Sequence, residues 1–159
     1  MAESAFRAAL GLPSSPARAF AGGPEVRYWR LRAGLPDEAL PTHSTEGPLL
    51  PSGLYHAVEA WVDSELSALH ALWWVGRRCP DILARVNEAK GWHLLHTQPD
   101  NATNRPWAIH VFALDPHPES QLYAQTLLHN ALAASMRPGA LAALLMLDAA
   151  DAIESAMAR

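Results

Sequence analysis

The sequence predicts an all-α fold, with antiparallel helical hairpins packed as a small bundle behind an irregular N-terminal arm. Three observations lead there. Residues 52–159 carry apolar side chains at three- and four-residue spacing through four successive segments, the period of a helix with one buried face. Proline stands at the start of two of those segments, Pro80 and Pro118, where a first helical turn tolerates it. Residues 1–51 hold seven of the thirteen prolines and five of the nine glycines, which breaks up any long regular element. The chain is therefore divided into an arm, 1–51, and a helical domain, 52–159.

In the arm, a short helix from Ala2 to Leu10 is stopped by Gly11. Val26-Arg27-Tyr28-Trp29-Arg30-Leu31-Arg32 is the one patch with strand character. Its basic and aromatic interleaving suits single-stranded nucleic acid, but an extended arm that packs its aromatics on the helical body is preferred in a chain of net charge -4. Ser52 caps a first long helix to about Arg78, with Leu54, Val58, Val62, Leu66, Leu69 and Trp73 as its stripe. Ile82, Val86, Ala89 and His93 mark the next helix, and the short link between the two implies an antiparallel hairpin. Residues 107–114 fit a short buried helix or a strand, and helix is preferred because the neighbouring segments are helical. Leu122, Ala124, Leu127, Leu128, Ala131 and Leu132 follow Pro118. Arg137-Pro138-Gly139 breaks that helix, and a last one runs from Ala140 to about Ala156, rich in strong helix formers.

Composition excludes several classes. At 159 residues, 50% hydrophobic and 18% charged, the chain is long enough to bury a core and is not of disordered type. A pI of about 6.0 gives no field that attracts nucleic acid or an acidic membrane, so neither is expected as a partner. The longest apolar stretch, Ala140 to Leu147, is far short of a membrane span of roughly 20 residues. Glu3 and Arg7 occupy the place of a signal peptide's apolar core. The single Cys79 removes a disulfide framework and a cysteine-rich zinc site, so a reducing, cytoplasmic location is expected.

Chemistry-bearing side chains are densest between Trp92 and His110. His93 and His96 share a helix side, and with His110 or His129 and a carboxylate such as Asp100 they form a candidate metal set. No His-Glu-x-x-His or Glu-x-x-His pattern accompanies them, and core histidines are the preferred interpretation, so no metal is assigned. The loop supplies Asp100, Asn101, Asn104 and Arg105 as hydrogen-bonding groups, with Trp92 or Trp107 as a flat wall. That combination suits a saccharide-like ligand, although the same residues also serve turns and caps. The candidate ligand set is thus His93, His96, Asp100, Asn101, Asn104, Arg105, Trp107 and His110. His56, Glu59, Asp63, Ser67 and His70 form a second polar face, taken as solvated, as is the face of Asp148, Asp151 and Glu154. Trp74 at the end of the first is either a stacking platform or a contact with the arm.

Helices paired by short turns, with Trp and His at helix ends and an Asn/Asp-rich loop between hairpins, resemble a fragment of an α/α-toroid protein. The segment His93 to His110 carries the likeness, which spans about the last two thirds of the chain. It implies a hairpin-built fold and saccharide binding or cleavage, as a truncated relative or one half of an assembly. No catalytic residue carries over. The expected function is a non-catalytic module binding a polar small molecule or a partner protein. The alternative is a metal-dependent or saccharide-processing enzyme using His93, His96 and His110. The identity of any cofactor is left open, and the apolar last helix leaves oligomerisation open.

Overall fold

Helix and turn account for the structure, and no strand occurs among the described residues. The computed structural model describes residues 2–12, 23–35, 46–99, 103–134 and 139–158. Its helices are α1 (Ala2–Ala9), α2 (Val26–Arg32), α3 (Val58–Gly76), α4 (Pro80–His96), α5 (Ile109–Ala113), α6 (Pro118–Ala133) and α7 (Ala140–Met157), with a 3-10 turn at Ser52–Leu54. None of them is long and apolar enough to cross a membrane.

α3 is the central element. Every residue from Glu65 to Trp73 is buried, the pattern of a helix covered on all sides rather than along one stripe. α4 packs along it, and α2, α5 and α1 cover other faces. Gly76 permits the close return of the chain. A β-carbon there would sit 3.1 Å from both Cα and N of Leu83, so the two backbones meet where a side chain would hold them apart. Pro80 then occupies the first turn of α4, as its position in the sequence predicts.

The first long helix starts later than Ser52. Ala57 is extended, and Leu54 and Val58, expected in the core stripe, are 63% and 68% exposed. The cause is tertiary. The buried Glu65 carboxylate accepts the backbone N–H groups of Leu49 (2.5 Å) and Leu50 (2.7 Å), and Trp61 Nε1 donates to the Leu50 carbonyl at 3.0 Å. With residues 49 and 50 clamped against the side of α3, the chain needs 51–57 to turn back into the helix.

Val26–Arg32 is a helix, which corrects the strand and extended-arm expectations. The helix places Val26, Tyr28 and Trp29 against the body, and Trp29 Nε1 donates to Ser67 Oγ at 2.9 Å. Its stop signal is Gly34, at φ 73°, where Leu35 N–H donates to Arg30 O and Gly34 N–H to Leu31 O. Gly11 ends α1 in the same way, at φ 70°. Both are the paired bonds of a left-handed glycine cap. Phe6 of α1 and Trp29 of α2 belong to one core with α3, α4 and α5.

α5, short as it is, buries His110, Val111 and Phe112, and both α6 and α7 rest on it. Ser120 Oγ donates to Phe112 O at 3.0 Å, and the Tyr123 ring stacks on Phe112 at 4.1 Å. α7 turns Leu145, Asp148, Ala149 and Ala152 inward. Of the predicted break before it, Arg137 and Pro138 lie outside the described residues.

Candidate functional site

The predicted site residues divide between two buried clusters and a surface. In the first cluster, Asp148 of α7 accepts a two-pronged bond from Arg32 of α2, at 2.8 and 2.5 Å, and a bond from Trp74 Nε1 at 3.2 Å. His70 Nε2 lies 2.6 Å from the same carboxylate, while His70 Nδ1 accepts the Ala108 N–H at 3.0 Å. A backbone N–H only donates, so Nδ1 is the bare nitrogen and Nε2–H donates to Asp148. Burial holds the His70 imidazole below its ordinary range, against the opposing pull of Asp148. Burial also opposes charge on Asp148, but the bonds from His70 and Arg32 outweigh it and keep the carboxyl well below the usual carboxylate range. Ala108, at φ 55°, is in the left-handed region that an alanine enters at a cost of about 1–2 kcal/mol; its bond to His70 helps hold it there.

Trp107 and His110 complete this cluster. The Trp107 ring lies 5.6–5.8 Å from Phe6, Trp29 and His70 on edge or tilted contacts, inside the core. His110 stands edge-on to His70 at 4.4 Å and to Trp73 at 4.7 Å, with no hydrogen-bond partner on either ring nitrogen among the described residues. Burial and the neighbouring His70 press its imidazole well below the ordinary value.

The second cluster holds His93, whose Nδ1 is 2.8 Å from Thr97 Oγ1 and whose Nε2 is 3.5 Å from Glu65 Oε1, long for a hydrogen bond. Thr97 Oγ1 donates to the His93 carbonyl at 3.2 Å and touches the Tyr123 hydroxyl at 3.1 Å. Burial pushes the Tyr123 phenol up to about 12. Trp61 stacks on the His93 ring, and exposed His96 leans over Trp92 at 4.8 Å.

Asn104 and Arg105 are exposed, and Arg105 pairs with Asp63 at 2.7 Å. Burial raises the Asp63 carboxyl against the pull of Arg105. The Trp107 indole N–H makes no hydrogen bond of normal geometry, yet lies near enough to Asp63 to favour its charged form. Asp100 and Asn101 lie outside the described residues. The structure thus joins Trp107 to His110 through His70, and His93 to His96 through Trp92, as two separate groups. Among the described residues no group of three or more His, Cys, Asp or Glu side chains is arranged to hold a metal ion.

The polar face of the first long helix also divides. His56 and Glu59 are exposed, but Ser67 and His70 are buried under α2, and Asp148 on the last helix is buried too. Those last three correct the solvated expectation: their polar atoms meet partners from other segments of the chain. Trp74 contacts the N-terminal segment, with the Arg32 guanidinium 4.8 Å over its ring.

A cleft of about 450 Å3 opens beside these clusters, between α3, α4, α5 and the end of α7. Trp73 gives it a flat wall, Leu83, Val111, Leu114 and Met157 are aliphatic, and Arg77, Asn87, Lys90 and Asp115 are polar. Sequence reasoning missed it. The one available signal is that Leu83, Asn87 and Lys90 follow at steps of four and three, hence on one face of α4.

No protein-family model matches the chain, and no curated protein or solved structure matches it.

Proposed function

We propose that the chain is a non-catalytic binding module whose ligand is a polar small molecule held in the cleft between α3, α4, α5 and α7. The observation that carries this is the cleft. Its volume of about 450 Å3 falls within the roughly 300–1,000 Å3 of small-molecule sites, and an apolar lining with a few polar groups is their usual composition. Binding is favoured over catalysis because the lining has no His, Cys, Ser or Thr, and its one carboxylate is engaged by Lys90. The ligand role expected for His93, Trp107 and His110 becomes a supporting one, since all three are buried.

Around the cleft we read successive helical hairpins, α3 with α4 first, supported by the three-residue link and the close approach at Gly76. The single cysteine and the lack of a membrane-length helix among the described residues favour a cytoplasmic module that engages neither nucleic acid nor membrane. A second reading, association with another chain through α7, is supported by Leu147, 68% exposed on that helix; light scattering that finds a monomer at every concentration removes it.

Thermal melting with a panel of sugars, amino acids and organic acids tests the module. A ligand at a hundredfold excess over its Kd stabilises by about 2.7 kcal/mol, which at this size is several degrees. At least one compound raises the Tm of the wild type and fails to raise that of Asn87→Trp, whose ring fills the cleft. No shift with any compound, or an equal shift in the variant, contradicts the assignment.

A further inference from the structure

The charges lining the cleft do not cancel. Lys90 Nζ lies 2.5 Å from Asp115 Oδ2. The Lys90 bond and the His117 backbone N–H together hold that carboxyl below its usual range, and Lys90 offsets its charge. Arg77 has no carboxylate partner among the described residues. One of its N–H groups donates to the Ser155 carbonyl at 3.3 Å, and its guanidinium carbon sits 5.3 and 5.2 Å from the Trp73 and Trp74 ring centres. Among the described residues only one of its five donors is engaged, and a guanidinium presents a fork that matches a carboxylate.

We propose that the ligand of this cleft is a monocarboxylate with an apolar or aromatic body, its carboxylate on Arg77 and its body against Trp73, Leu83 and Leu114. This rests on the cleft being the ligand site. A neutral saccharide would cover the Arg77 charge without compensating it, and burying an unpaired charge is costly. A phosphate monoester carries nearly two negative charges at pH 7 and would meet one uncompensated cation beside the Asp115 carboxylate. A single carboxylate balances the site, and the aliphatic wall takes its hydrocarbon.

Titration calorimetry on the full chain, with octanoate, 3-phenylpropionate and indole-3-acetate, each beside its neutral amide, and with glucose, decides the matter. At least one acid binds about tenfold or more tighter than its amide, as a charge-assisted bond requires. Arg77→Gln reduces that ratio to near one. Asp115→Asn keeps an acceptor for the His117 N–H and releases Lys90, so it tightens the acid and leaves the amide unchanged; this variant serves if Arg77→Gln unfolds by loss of its bond to Ser155. An amide that binds as well as its acid, or binding of glucose or another neutral compound alone, overturns the carboxylate while the cleft stands as the site. No binding by any compound here or in the melting panel overturns both.

Discussion

Asp148 joins α2, α3 and α7 through Arg32, His70 and Trp74, and among the described residues His110 sits beside this network without a polar partner of its own. The two imidazoles make stability depend on pH in a defined direction. Both have folded values below the ordinary 6.5. The unfolded chain therefore takes up protons first as pH falls, and the stability of the neutral histidines is complete above about 6.5 and lost as pH drops below it. Asp148 adds a separate loss below about 3.8, because its carboxyl is also depressed on folding. Replacing an unpartnered buried imidazole by an apolar ring removes a desolvation cost of about 1–3 kcal/mol. His110→Phe is expected to raise the Tm at pH 7 by roughly 2–4 °C per kcal/mol and to flatten the loss of stability between pH 6.5 and 5. A lower Tm with an unchanged pH profile would mean that His110 is satisfied by a bound group.

Among the elements, those whose signals are local were legible. α1 has its glycine stop, α4 and α6 have proline in the first turn, and α7 has its run of Ala and Leu. α2 was not legible, because alternating basic and aromatic residues fit a strand equally well and the deciding feature is the conformation of Gly34. The start of α3 was not legible either, since it depends on Glu65 clamping Leu49 and Leu50 from fifteen and sixteen residues away. Polar residues opposite an apolar stripe read as solvent-facing unless another helix covers them, and α2 does cover Ser67 and His70. The α3–α4 connection carries its own test. In a helix, Gly→Ala ordinarily gains up to about 1 kcal/mol. At Gly76 the new β-carbon would be 3.1 Å from the Leu83 backbone, an overpacking cost of about 1–3 kcal/mol. Gly76→Ala is expected to lower the urea midpoint, and Gly76→Val to lower it further; a rise in Gly76→Ala would show that the two helices separate freely there.

At the scale of the molecule, α3 is wrapped by α1, α2, α4 and α5, and the cleft exists only because side chains from four helices meet. Trp73 and Arg77, Asn87 and Lys90, Leu114 and Asp115, and Met157 are scattered through the chain, so no spacing rule collects them. The histidine-rich stretch drew attention through density alone, and density does not distinguish residues that face a ligand from residues that fill a core. His93, Trp107 and His110 are all buried. The six tryptophans separate the two possibilities. Trp73 lines the cleft, Trp92 lies beside His96, and Trp107 is sealed in the core. The most direct measurement is the set of indole N–H resonances of the 15N-labelled chain during titration with the compound that most raises its Tm. Binding in the cleft moves the Trp73 resonance in proportion to occupancy and leaves Trp92 and Trp107 in place. Movement of Trp92 and of the His96 and Arg105 amides, with Trp73 unchanged, would contradict the account and return the site to the loop.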